Sequence, residues 1–194
     1  QLLHIKSLGI GGLGLGWKGV VLFFTLSGFL ITYLLQLEKK SFNKINIKSF
    51  YIRRLLRIWP LYYLIICITI ILYFIFNDLI GIKEFELTSL SNFLLFLGNY
   101  EYVFGIGIIT LTPLWSVAVE EQFYIFWPLL IAKFKNALNS VTLFLVFFLC
   151  IKLLIQKIDV HWYKLIYISS FSCMAIGAIM PLLLSKFRFG RPLS

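Results

Sequence analysis

Two glutamates, Glu120 and Glu121, interrupt an otherwise apolar run, Leu114-Trp-Ser-Val-Ala-Val-Glu-Glu-Gln-Phe-Tyr and on to Leu129. A charge near mid-bilayer costs at least a few kcal/mol, so a carboxyl there faces a polar cavity or a partner. Ser116 and Glu120 are four apart and share a helix face, which lets the serine orient the carboxylate and limit its desolvation. The same pattern fits an external interface where both glutamates snorkel to water. A second set is Arg54 and Arg57 in Phe50-Tyr-Ile-Arg-Arg-Leu-Leu-Arg-Ile-Trp-Pro60, three apart and neighbours on one helical face. Paired guanidiniums grip phosphate or carboxylate bidentately, which lysine does less well. An amphipathic helix resting on lipid head groups carries the same arginines. The histidines are His4 and His161, and histidine is the commonest general base near neutral pH. His161, beside Trp162 and Tyr163, fits an aromatic belt. His4 is expected at the external mouth of an upstream helix and says nothing by itself.

The elements that position these groups follow from hydropathy. Of 194 residues, 60% are apolar and 13% charged, with mean hydropathy +0.93. A soluble domain is nearer half apolar and a quarter charged, and 18% aromatic residues are too many for a disordered chain. The composition is that of an all-α integral membrane protein. The net charge of +10 belongs to basic residues flanking apolar spans and not to nucleic-acid binding. Cys67, Cys150 and Cys173 all lie in apolar runs, an odd set that fits packing and not disulfides or metal ligation.

A bilayer-crossing helix needs about 20 apolar residues. Val20–Leu37, Ile58–Phe76, Pro113–Ala132, Leu138–Ile155 and Leu165–Leu184 qualify, giving five expected spans. Leu90–Leu97 is too short and is expected as a re-entrant, interfacial or packed helical piece. Pro60 suits the first turn of the second span. Lys39, Lys40, Lys44, Lys48, Arg53, Arg54 and Arg57 put the first connection on the cytoplasmic side. Asn77–Thr112, with Asp78, Glu84, Glu86 and Glu101 against Lys83, is then external, and Lys133, Lys135, Lys186, Arg188 and Arg191 return to the cytoplasm. The connection bearing Lys157, Asp159, His161 and Lys164 is external and fits less well. Ser27-Gly28, in the middle of the first span, allows either close helix approach or a local break lining a cavity. The glycines at Gly9, Gly11, Gly12, Gly14 and Gly16 follow no strand and precede no Lys-Ser/Thr, so they form a turn and not a phosphate loop. Gln1 opens without Met, signal peptide or basic leader, and Ser194 follows a basic cluster. Residues 1–194 are therefore expected to be one part of a larger membrane domain.

In order along the chain, GVVLFFTLSGFLITYLL, FYIRRLLRIWPLYYL, LTPLWSVAVEEQFYIFWPLL and SSFSCMAIGAIMPLL resemble the membrane acyltransferase-3 family. Its members include O-antigen and peptidoglycan O-acetyltransferases of bacterial envelopes. The resemblance covers most of residues 4–184 and corresponds to the N-terminal half to two thirds of the family's domain, without its first helix. It implies a multi-pass protein of the bacterial inner (cytoplasmic) membrane. It also implies transfer of an acyl group, most often acetyl, from cytoplasmic acyl-CoA to a hydroxyl of an envelope carbohydrate. The family's Arg-x-x-Arg falls on Arg54 and Arg57, as the donor-binding pair. Its Ser-x-x-x-Glu falls on Ser116 and Glu120, and its catalytic histidine on His4, ahead of the Gly19 motif. The resemblance implies acyl-CoA as the donor substrate, with no bound cofactor or metal expected. Two departures stand out: many members have Asp at Val21, and an Arg where Ser170 stands. From the residues alone, a transporter also needs intramembrane Glu and Arg, and an inactive or truncated scaffold fits the departures.

Overall fold

The computed structural model describes residues 15–80, 87–104, 109–134, 137–157 and 160–188. His4 and most of the glycine-rich stretch lie outside the described residues. Among those described, the chain is all-helical: α1 (Leu15–Phe42), α2 (Ile47–Ile80), α3 (Leu87–Leu94), α4 (Gly98–Phe104), a 3₁₀ turn (Ile109–Leu114), α5 (Trp115–Lys133), α6 (Ala137–Gln156), α7 (Val160–Ser169) and α8 (Phe171–Arg188).

Among the described residues, four stretches are long and apolar enough to cross a membrane: Gly16–Phe42, Ile47–Ile75, Leu138–Gln156 and Val160–Leu184. The remaining expected span, α5, has 19 residues, about 28 Å at 1.5 Å per residue, but carries too many polar groups to stand against lipid. It runs through the interior instead, burying Trp115, Ala118, Val119, Phe123, Tyr124, Trp127 and Ile131 together with Glu120 and Glu121. An aromatic stack holds it there: Phe123 lies 4.6 Å from Trp127, and Phe144 of α6 meets the Trp127 ring edge-on at 5.5 Å.

Three details differ from the sequence expectation. Pro60 lies inside a continuous 34-residue helix, so the arginine-bearing segment and the second span are one element. The last expected span is broken at Ser170, whose φ of 46° lies in the left-handed region and turns α7 away from α8. Cys67 and Cys150 are exposed on the bundle's apolar exterior and do not pack in the core, whereas the half-buried Cys173 packs against it; all three are free. Leu90–Leu97 does form a short packed piece, the end of α3 and the turn after it.

The tightest contact joins α1 to α8. A methyl group at Gly28 would penetrate the Met174 carbonyl, and one at Gly177 would penetrate the Thr25 carbonyl, so each helix supplies the glycine that admits the other's backbone. Thr32 donates to Gly28 O at 2.8 Å and accepts from Trp127 Nε1 at 2.9 Å, which ties the crossing to α5. The α1–α2 turn is closed by Glu38, which accepts from Asn46 N at 2.9 Å and pairs with Arg53 at 3.2 Å. Asn46 in turn caps α2 by accepting from Ser49 N at 3.1 Å. Although consecutive, α1 and α2 do not pack along one another. Instead α2 is seated on α3 by Tyr62 and Tyr63, whose hydroxyls donate to Phe93 O at 2.7 Å and Leu94 O at 3.1 Å. Both carbonyls lie at the C-terminal end of α3, where Phe93 O also accepts from Phe96 N at 3.1 Å.

Gly28→Ala and Gly177→Ala are expected to force the α1–α8 crossing apart and cost about 1–3 kcal/mol. Gly19→Ala, where an added methyl meets nothing within 4 Å, should be neutral or stabilising by up to about 1 kcal/mol. Thermal unfolding in detergent reads both signs.

Candidate functional site

The gap between α1 and α2 is a cleft of about 300 Å³, with α5 at its back. From α1 come Phe23, Leu26, Ser27 and Leu30, a stripe at i, i+3, i+4 and i+7. From α2 come Arg54, Arg57 and Ile58, and from α5 Glu120 and Tyr124. Phe23, Leu26 and Leu30 are 45%, 56% and 43% exposed, so the apolar lip of the cleft faces the bundle's exterior.

Glu120 is 6% exposed. Its Oε1 accepts from the Ser27 hydroxyl and, at 3.0 Å, from the Tyr124 hydroxyl. The Arg54 guanidinium carbon lies 4.7 Å from the Tyr124 ring centre and 5.9 Å from that of Phe50, inside the range of cation–π attraction. Neither cleft arginine forms a close ion pair with Glu120 among the described residues; the pair formed there is Arg53 with Glu38. The cleft thus holds a hydrogen-bonded carboxylate and two guanidiniums among apolar walls, which can bind an anion and accept a proton or hydrogen bond beside it.

The sequence-derived residues divide accordingly. Arg54, Arg57 and Glu120 come together from α2 and α5. Ser116 does not reach Glu120: half-buried at the start of α5, its hydroxyl donates to Pro113 O at 3.2 Å, and Ser27 of α1 takes the place expected for it. Ser27-Gly28 therefore performs both jobs considered for it, close approach through Gly28 and cavity lining through Ser27, without a break in α1. His161 stacks on Phe104 at 5.6 Å, remote from the cleft lining. Tyr124 escaped the sequence reading, although its spacing of four from Glu120 was the available signal.

Glu121 faces the other way. It is 9% exposed, accepts from Trp59 Nε1 at 3.4 Å through Oε2, and leaves Oε1 buried without a partner among the described residues. Next along α5, Gln122 donates to Asn99 Oδ1 at 2.9 Å and to Phe96 O at 2.8 Å, while Asn99 donates to Gln122 Oε1 at 3.2 Å and Ser169 Oγ at 3.3 Å. Glu101, 2% exposed, accepts from Asn92 and, at 3.3 Å, from Ser89. These bonds pin α3, α4 and α7 around the upper part of α5.

A helical membrane bundle with an arginine–glutamate cleft is the class defined here, and comparison with known proteins makes it specific. The family model described as an acyltransferase domain, of the acyltransferase-3 type, matches residues 14–180. The chain belongs to the acyltransferase-3 family. It is 34% identical over 163 residues to O-acetyltransferase OatA of Staphylococcus aureus (strain NCTC 8325 / PS 47), covering 79% of this chain and 26% of that protein. It is 33% identical over 136 residues to peptidoglycan O-acetyltransferase OatA of Listeria monocytogenes, covering 67% of this chain and 22% of that protein. The chain thus spans about a quarter of the length of the curated relatives it matches. No solved structure matches it.

Asn99→Ala is expected to leave Gln122 Oε1 without its donor, while Gln122 keeps Phe96 O and Ser169 keeps Leu165 O, and to cost about 1–3 kcal/mol, measured as a fall in thermal stability in detergent.

Proposed function

We propose that the protein is a membrane O-acyltransferase of the bacterial inner membrane. It moves an acyl group, acetyl in the first instance, from cytoplasmic acyl-CoA to a hydroxyl of an envelope carbohydrate. The acyltransferase-3 match and the names of the two OatA relatives support the reaction class; the Listeria relative's name makes peptidoglycan the first acceptor to test. The observation that carries the reading is that the Arg54–Arg57 pair and Glu120, distant from it in sequence, line a single cleft.

Thioester and alcohol do not react at a useful rate unaided, because a neutral hydroxyl is a weak nucleophile. The acceptor oxygen attacks the thioester carbonyl carbon, its proton passes to a base, and the carbon–sulfur bond breaks to release the thiol of coenzyme A once it is protonated. His4 is the proposed base, with Glu120 orienting it or balancing the imidazolium that forms. Arg54 and Arg57 hold the donor's phosphates from the basic, cytoplasmic side. Ser27 fixes Glu120 in the cleft, while Ser116 acts only through the first turn of α5.

The full-length protein in membranes, given radiolabelled acetyl-CoA, is expected to pass label to envelope carbohydrate. Glu120→Gln should reduce transfer at least 100-fold, about the lower end for losing general acid–base assistance, with the protein still inserted. Arg57→Ala should raise the donor KM, and Ser116→Ala should cost less than Ser27→Ala. Full transfer by Glu120→Gln and Arg57→Ala would remove this site; no donor use by folded wild type would remove the reaction.

A further inference from the structure

Glu120 and Arg54 stand on different helices, yet one side chain touches both. The Tyr124 hydroxyl reaches back one turn of α5 to Glu120 Oε1, and the face of its ring carries the Arg54 guanidinium. Ser27 donates to the same Oε1. Both protein donors therefore converge on one carboxylate oxygen, and among the described residues none reaches Oε2. Arg54 lines the cleft and, among the described residues, its N–H groups make no hydrogen bond.

We propose that Tyr124 is a positioning residue that sets the anion-binding arginine and the carboxylate of the cleft in register. Its hydroxyl, together with Ser27, fixes the Glu120 carboxylate so that Oε2 is the oxygen presented to the reacting groups. Its ring holds Arg54 beside that carboxylate. This deepens the acyl-transfer reading and rests on it.

The two tasks are physically separable. Two donors on one oxygen restrict rotation of the carboxylate and leave the second oxygen as the open acceptor. A guanidinium is attracted to a ring through its face, whereas it binds phosphate through N–H groups in its plane, so stacking does not compete with anion binding. An arginine already stacked has less rotamer freedom to lose when the anion arrives. Tyrosine suits the post because it is rigid, buried to 3% exposure here, and ends in a single donor.

The test uses steady-state kinetics of the full-length protein in membranes with labelled acetyl-CoA. Tyr124→Phe keeps the ring and deletes the hydroxyl, so kcat should fall about tenfold, as for loss of one hydrogen bond to a charged group, with the donor KM unchanged. Tyr124→Leu deletes both contacts, so the donor KM should also rise several-fold. Ser27→Ala, which leaves the ring packing untouched, should repeat the kcat-only loss of Tyr124→Phe and keeps the hydroxyl's role testable where the Leu variant fails to fold. Unchanged kcat in both Tyr124→Phe and Ser27→Ala overturns the proposal. So does a donor KM in folded Tyr124→Leu no higher than in Tyr124→Phe. Folded wild type that consumes no donor overturns the acyl-transfer reading, and this proposal with it.

Discussion

Burying the Glu120 carboxylate in the middle of an apolar bundle obliges the surrounding helices to meet its lone pairs, since an ion left bare at that depth costs several kcal/mol. The donors arrive from two sources, Ser27 across the α1–α5 contact and Tyr124 from the next turn of the same helix. The Ser27 contribution requires α1 to stand at a defined rotation, which the paired glycines of the α1–α8 crossing impose by letting backbone touch backbone. A crossing padded by side chains would leave that rotation free to drift. Satisfying one carboxylate thus dictates how α1, α5 and α8 meet.

α2 is attached by a different logic. Its contacts are aromatic side chains reaching outward: Tyr62 and Tyr63 to carbonyls of α3, Trp59 to Glu121, and Tyr62 stacked on Phe96 at 4.3 Å. Toward α1 the helix backbone stays at arm's length, and the space this leaves is the cleft. The arginines can therefore project toward the carboxylate without their own helix closing over it.

Much of this was legible in the sequence, and the exceptions have physical causes. Hydropathy exposed the helical membrane class, because apolar runs of this length have few other uses, and the arginine and glutamate motifs marked two walls of the site. Periodicity could not tell a lipid-facing helix from an interior one, so α5 read as a fifth ordinary span although its polar residues are affordable only inside. Spacing likewise offered Glu120 two partners, Ser116 four before it and Tyr124 four after. Side chains lean toward the helix N-terminus, so the long tyrosine reaches back to Glu120, whereas the short serine hydroxyl is captured by the Pro113 carbonyl at the helix start. Ser27 lies 93 positions from Glu120, a separation no local pattern can bridge. The break at Ser170 was invisible because no glycine or proline marks it.

The glycine-lined crossing also has a consequence for the order of assembly. α1 is synthesised well before α8, yet α8 is the element it packs against most extensively. Until α8 is in place, α1 lacks the backbone contact that sets its rotation and is held to α5 by side chains such as Thr32 and Trp127. Of the two donors to Glu120, Tyr124 comes with its own helix, whereas the bearing of Ser27 is set only once α8 has docked. Maturation of the cleft is in this sense a long-range event, closed by a contact between helices at opposite ends of the described chain.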